Sequence, residues 1–400
     1  MPLGTKSVVK KIYLYKALTD FILLYPLYSL MFARHGLSTF QISMLLIVWA
    51  VTDLVTNVPM GVLADKFSRR KLLALAPVIE AIGFLVWLIW PSYLGFALGF
   101  ILWGIGGALF DGTYEALLYD ELKSAGIEKE YTKIAGRAQS FALVANFIAT
   151  ILAGAAILLG FSFVIWGSVV PLLIAMCVAL TLPETKQYEE AADTRYFSVL
   201  WQGITETFRN RVLLEVILLG SFMGGIYGCL EEYVPLFFRQ GGYSYTTITL
   251  IVGITVLVAA FASFAAHRYN HFKTTTFLLL LAASGVLLYA AGLLSGKSSI
   301  IFVVLYTFII ELLITIYNGR IQAAIAGHLR ATVTSVSLFV IELVSISTYF
   351  IYGLLSRHGG NFAAFKFVGI SVLVVALLYL VGTPRLLTKG LPLRRKETNT

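Results

Sequence analysis

Long apolar runs alternate with short polar joins along this chain. Twelve runs can be marked, at about 12–33, 40–64, 71–90, 93–119, 136–160, 161–183, 211–238, 243–266, 273–295, 299–325, 331–355 and 361–382. A helix needs roughly 20 apolar residues to cross about 30 Å of hydrocarbon. The runs are continuous, without the period-2 alternation of a membrane β-barrel. Pro91, Gly160, Gly241–Gly242 and Gly359–Gly360 punctuate joins. The pattern predicts an all-α membrane protein with twelve spans. The run from Ile12 has no small-residue cleavage site after it, so it reads as a first span, not a removed leader. The longest polar stretch, Glu184 to Asn210, divides the chain into a bundle over 1–183, a linker over 184–210 and a bundle with a short tail over 211–400.

Composition agrees. Of 400 residues, 58% are hydrophobic and 13% charged, against about 25% charged in soluble domains. The net charge of +9 does not indicate nucleic acid, because the cations sit in the joins. With the N-terminus inside, the inner segments hold twenty-three Lys and Arg and the outer segments four, Arg34, Arg239, Lys297 and Arg357. That bias places both termini in the cytoplasm of a multi-pass cell (inner) membrane protein. Cys177 and Cys229 both fall in apolar runs. They give neither a disulfide framework nor a metal spacing, and read as small buried side chains. No metal or other cofactor is expected. The expected partners are membrane lipid, protons and a small-molecule substrate, with the chain acting as a monomer and not as an enzyme.

Displaced by about 206 residues, parts of the sequence return. "STFQI" (Ser38–Ile42) meets "SYTTI" (Ser244–Ile248), and "FDGTYEA" (Phe110–Ala116) meets "YNGRIQA" (Tyr317–Ala323). The halves read as structural copies, an arrangement common in secondary transporters. "GVLADKFSRRK" (Gly61–Lys71) resembles the loop-2–3 signature of the major facilitator superfamily, G-x-L-A-D-[RK]-x-G-R-[RK]-x. Gly61, Leu63, Ala64, Asp65, Lys66, Arg69 and Arg70 match, and Ser68 stands in place of a Gly. "LPETK" (Leu182–Lys186) resembles the family's ending of span six. The resemblance implies two pseudo-symmetric six-helix bundles. It also implies a latch. Gly61 would permit close helix approach, Asp65 would accept N–H groups at the start of span eleven, near Ala331–Val333, and Arg69 or Arg70 would pair with Asp120.

Acids inside apolar runs are the second signal. Asp20, Asp53, Glu80, Asp111, Glu115, Glu231, Glu232, Glu311 and Glu342 all lie there. A charge at the bilayer centre costs at least about 2.5–3.5 kcal/mol, so these groups face an interior, pair, or carry protons. Asp20, Asp111, Glu115, Glu311 and Glu342 are the candidates for proton coupling. Asp111 and Glu115 stand four apart with like charge, and a carboxyl that gains and loses a proton is what coupling needs. Lys16 shares a face with Asp20. Arg320, nine residues beyond Glu311, is expected to reach toward span four. Glu231 and Glu232 are expected nearer the outer end. Tyr25, Tyr28, Trp103, Tyr227 and Tyr317 are candidates for a substrate wall together with Arg320, since aromatic faces meet cations and flat ligands.

No GxxxxGK[ST] loop is present, so an ion gradient is the expected energy source. The acids favour protons. An acidic cavity suits export of cationic or amphipathic compounds, the work of an antiporter and multidrug-efflux protein. "GTYEALLYDEL" and "NVPMGVLADKFSRRK" resemble bacterial efflux-type members. Span five, "SFALVANFIATILAGAAILLG", lacks the proline of the Gly–Pro–Gly-rich antiporter signature. Transport of a nutrient, siderophore or other metabolite therefore stands as the alternative.

Overall fold

The computed structural model describes residues 3–184, 211–269, 271–294, 296–324 and 330–382. The linker from 185 to 210 and the tail from 383 lie outside them. The elements are α1 (Leu3–Thr19), α2 (Tyr28–Arg34), α3 (Thr39–Lys66), α4 (Arg69–Ile89), α5 (Tyr93–Ser124), α6 (Tyr131–Ala156), α7 (Phe161–Leu180), α8 (Arg211–Gln240), α9 (Tyr245–Ala265), α10 (Thr274–Leu294), α11 (Ser299–Ala324) and α12 (Arg330–Gly382). The protein is an all-helical, multi-pass membrane protein. Among the described residues ten helices are long and apolar enough to cross a membrane. By contacts the chain falls into two compact units, one of the N-terminal half with Tyr243–Gly253, the other of the remaining C-terminal half.

Two departures reconcile ten with twelve. The last helix runs 53 residues, about 80 Å at 1.5 Å per residue, more than twice the hydrocarbon thickness. It doubles back at Gly360, whose φ of 66° lies in the left-handed region. The turn is held from α8: Gln240 Oε1 accepts the Asn361 N–H at 2.6 Å, and Asn361 Nδ2 donates to the Leu236 carbonyl at 3.3 Å. The first run, expected as one helix over 12–33, is instead two helices separated by an irregular stretch, Asp20–Leu27. Pro26 lies inside that stretch and has no N–H to give. The freed Leu24 N–H donates to Ser168 Oγ of α7 at 2.9 Å, and that hydroxyl donates to the Val164 carbonyl.

Local signals set several starts. Ser38 caps α3 with a reciprocal box to Gln41, and Ser244 Oγ accepts the Thr247 N–H at 3.1 Å before α9. The repeated "STFQI/SYTTI" is thus a repeated cap. Inside the first unit α1 packs on α4, α5, α6 and α7 through Ile12, Tyr15, Leu73, Leu117, Ala138 and Ala179. The Tyr15 hydroxyl donates to the Leu73 carbonyl at 2.7 Å. Packing of this kind holds helices together in lipid, where helix–helix contact gains little hydrophobic energy. Cys229 is buried, but Cys177 is exposed, against expectation.

Candidate functional site

Each unit carries its own group of acids. In the first, Lys16 and Asp20 sit where α1 ends and bridge at 2.9 Å. The Lys16 ammonium also lies 4.7 Å from the centre of the Phe110 ring. Glu80 of α4 interacts electrostatically with both Asp20 and Lys16. Asp111 of α5 interacts with Lys16, Glu115 and Asp20, and Asp53 of α3 interacts with Asp111. Asn57 donates to Asp53 Oδ2 at 2.9 Å. Three carboxyls, Asp20, Glu80 and Asp111, therefore interact with the Lys16 ammonium, and Asp53 and Glu115 join the group through Asp111. Asp111 and Glu115 are exposed although they lie within a spanning helix.

Asp53 and Glu80 were not among the proton candidates, yet a signal existed. Asp53, Asn57 and Gly61 follow at i, i+4 and i+8, so they form one stripe of α3. That stripe faces α5: a Cβ on Gly107 would lie 3.7 Å from Asp53 Oδ1, and one on Gly112 would lie 3.4 Å from the Gly61 backbone.

In the second unit, Glu231 hydrogen-bonds Tyr227 one turn earlier on α8 and interacts with Glu232 and with Glu311 of α11. Glu311 accepts from Thr315 Oγ1 at 3.4 Å. Tyr306 is 3% exposed, its hydroxyl has no partner among the described residues, and it neighbours Glu231. Glu232 and Glu342 both interact with Cys229. Glu231, expected nearer the outer end, lies nine residues before Gln240, about 13.5 Å along the axis, closer to the Gln240 end of α8 than to its Arg211 end and within electrostatic reach of Glu311. Arg320 donates to the Phe272 carbonyl at 2.6 Å and lies 5.9 Å from the centre of the Phe277 ring. The guanidinium is thus engaged within its own unit.

The aromatic candidates divide. Tyr25 and Trp103 are half-buried and meet edge to face at 6.4 Å. Tyr227 is half-buried beside Glu231. Tyr28 and Tyr317 do not form a wall in this arrangement. Tyr28 is 2% exposed, packed among Phe32, Trp87 and Phe100. Tyr317 is buried too, its hydroxyl donating to the Val216 carbonyl. Both rings are worth more as packing than as display.

At the basic end, Arg69 pairs with Asp120 and donates to the Ala116 carbonyl at 3.3 Å. Arg70 reaches Glu184 at 3.3 Å instead. Lys66 is exposed. Gly61 itself has open space where a Cβ would stand, so the close approach there is pressed from the Gly112 side. The side chains of Asp65, Ala331 and Thr332 lie outside the described residues.

A family model described as Major Facilitator Superfamily matches residues 17–349. An uncharacterized transporter of Buchnera aphidicola, BU466, is 23% identical over 265 residues, 66% of each chain; the match thus spans just under two thirds of that relative. Among solved structures, the nucleoside transporter NupG (D323A mutant) superposes with a TM-score of 0.78 at 14% identity, covering 94% of this chain and 99% of that one. A D-xylose-proton symporter gives 0.71 at 15%, covering 98% and 99%. A bacterial homolog of the human lysosomal transporter Spinster, inward-facing and unoccupied, gives 0.72 at 16%, covering 95% of each. At these identities the structural likeness speaks for the fold.

Proposed function

The chain belongs to the Major Facilitator Superfamily, and from that premise we propose that it is a proton-coupled secondary transporter exporting small cationic or amphipathic compounds. It works by alternating access of its two halves in the cytoplasmic membrane, with both termini inside. The observation that carries this reading is the linked group of five carboxyls, three of which, Asp20, Glu80 and Asp111, interact with the Lys16 ammonium. Such a group crowds acids within a membrane span, and it relieves their mutual repulsion by taking up protons or a cation. One group of sites can thus exchange protons for a cationic cargo. Asp20, Asp111 and Glu115 take part, with Asp53 and Glu80 added by the geometry. Glu231, Glu311 and Glu342 serve the other unit. Tyr25, Trp103 and Tyr227 offer aromatic faces to a cargo. Arg69 and Asp120 form the latch at the basic end.

The test is ethidium movement in proteoliposomes under an imposed pH gradient. Export by antiport requires ethidium to accumulate on the acidic side and to discharge the gradient as it moves. Failure of every organic cation tried to discharge the gradient would remove the export reading.

Proton-coupled import of a polar nutrient is the second reading. The fold likeness to a nucleoside transporter and to a D-xylose-proton symporter favours it. In the same vesicles a symporter concentrates uridine or xylose on the side to which protons run, which is the opposite sign.

A further inference from the structure

One cavity in the first unit belongs to neither acid group. It has a volume of about 330 Å³ and lies at the end opposite Arg69 and Asp120, where α2 ends, α4 meets α5 and α7 begins. Arg34 and His35 stand on one wall, Phe161 and Ser162 on another, and Met31, Trp87, Leu88 and Ile165 supply apolar surface. We propose that this cavity binds the phosphate-bearing headgroup of an anionic phospholipid, with the first part of its acyl chains against the apolar wall.

Charge comes first. This end of the chain carries only four Lys and Arg in its joins, so a cation here is not explained by insertion. Arg34 is held over the Phe161 ring at 5.6 Å. A guanidinium meets a phosphate bidentately through its N–H edges. His35 is fixed as well. Its Nδ1 donates to the Met31 carbonyl at 2.9 Å, and Nε2 can meet a phosphate oxygen only as a donor, with both ring nitrogens carrying hydrogen. Its ring also meets Phe96 at 5.8 Å.

The surroundings say which phosphate. Trp90 and Tyr93 stand exposed at the α4–α5 join, as interfacial aromatics do at headgroup level. Ile89, Leu158 and Leu159 are 80%, 78% and 71% exposed close by in sequence to the lining residues. Those side chains are suited to hydrocarbon. A cationic wall, an apolar wall and a lipid-facing rim together describe an amphipathic anion delivered by the bilayer.

The experiment is native mass spectrometry of the full-length protein released from nanodiscs of equal phosphatidylglycerol and phosphatidylcholine. The wild type should retain phosphatidylglycerol over phosphatidylcholine. Arg34→Gln should lower that preference about tenfold, the loss of one charge-assisted contact, and His35→Gln should lower it in part. Arg34→Lys should keep only part of it, since an ammonium retains the charge without the fork. Lys297→Gln, an exposed cation of the other half, should change nothing. Equal retention by Arg34→Gln and His35→Gln would overturn the proposal. So would millimolar inorganic phosphate that displaces the lipid and stabilises the protein by itself, since the site would then take a soluble anion. If Arg34→Gln does not fold, the Arg34→Lys and His35→Gln pair decides by the same readout.

Discussion

The two halves solve one problem with different chemistry. In the N-terminal half, acids gather around an ammonium: Lys16 bridges Asp20 and stands within electrostatic reach of Glu80 and Asp111. In the C-terminal half, Glu231 and Glu311 lean on hydroxyls, Tyr227 and Thr315, and among the described residues no salt bridge forms at either. The internal repeat shows where the halves parted. Asp111–Gly–x–x–Glu115 in α5 corresponds to Asn318–Gly–x–x–Gln322 in α11. Carboxyls became amides at the same helical positions, keeping shape and losing charge. The acids of the C-terminal half lie instead at positions without an acidic counterpart in those motifs. On this account the N-terminal group titrates as a charge-coupled set, and the C-terminal group as a polar pocket.

The largest expected effect breaks the comparison if it fails. Asp111→Asn should cut gradient-driven transport at least about tenfold, as loss of a proton-transfer group does, while exchange of labelled ligand persists without a gradient. Glu231→Gln should cut it less. Equal losses would erase the distinction between the halves.

Next is the ammonium. Lys16→Gln removes the cation that bridges Asp20, and by the cost of an unpaired, partly buried charge it should destabilise the protein by about 1–3 kcal/mol. Adding Asp20→Asn should recover much of that, read as the melting temperature in detergent. Additive losses would mean that the two residues do not act as a pair.

A smaller effect is expected at the latch. Arg69→Gln should slow turnover about fivefold, the worth of roughly 1 kcal/mol in a two-state equilibrium, with ligand affinity within about twofold. Normal turnover with weakened affinity would place Arg69 in the binding site instead.

The smallest effect sharpens the contrast. Tyr306→Phe deletes a buried hydroxyl without a partner among the described residues, so stability should stay within about 0.5 kcal/mol. Tyr227→Phe strips a hydrogen bond from Glu231 and should move the pH profile of transport. A pH profile unmoved by Tyr227→Phe would count against Glu231 as a proton site.

Much of the fold was legible because hydrophobic length is a strong signal. The turn at Gly360 was marked by the Gly359–Gly360 pair, and the Lys16–Asp20 bridge by its i, i+4 spacing. The break in the first span was not. Pro26 marks it, yet Pro59, Pro77, Pro171 and Pro235 sit inside unbroken helices, so proline alone does not decide. What decides is tertiary: Ser168 of α7 stands ready to accept the Leu24 N–H. The candidate site was legible in part. Asp111, Glu115 and Glu311 announce themselves as acids in hydrocarbon, and Arg69 with Asp120 as part of a motif. Tyr28 and Tyr317 misled because a tyrosine in a spanning helix looks the same whether it lines a passage or packs a core. Asp53 and Glu80 were undervalued because the helix each faces is settled only when the neighbouring helix is in place, and Glu231 because it lies nearer one end of its span.

The central claim is that these carboxyls tie proton movement to cargo movement. The direct measurement is simultaneous recording of internal pH and ethidium in proteoliposomes bearing the wild type or Asp111→Asn. The account predicts that ethidium and protons move in opposite directions in fixed proportion through the wild type, and that the variant still exchanges ethidium but no longer moves protons. Ethidium movement through the wild type that leaves internal pH untouched, or a variant that still couples the two, would contradict it.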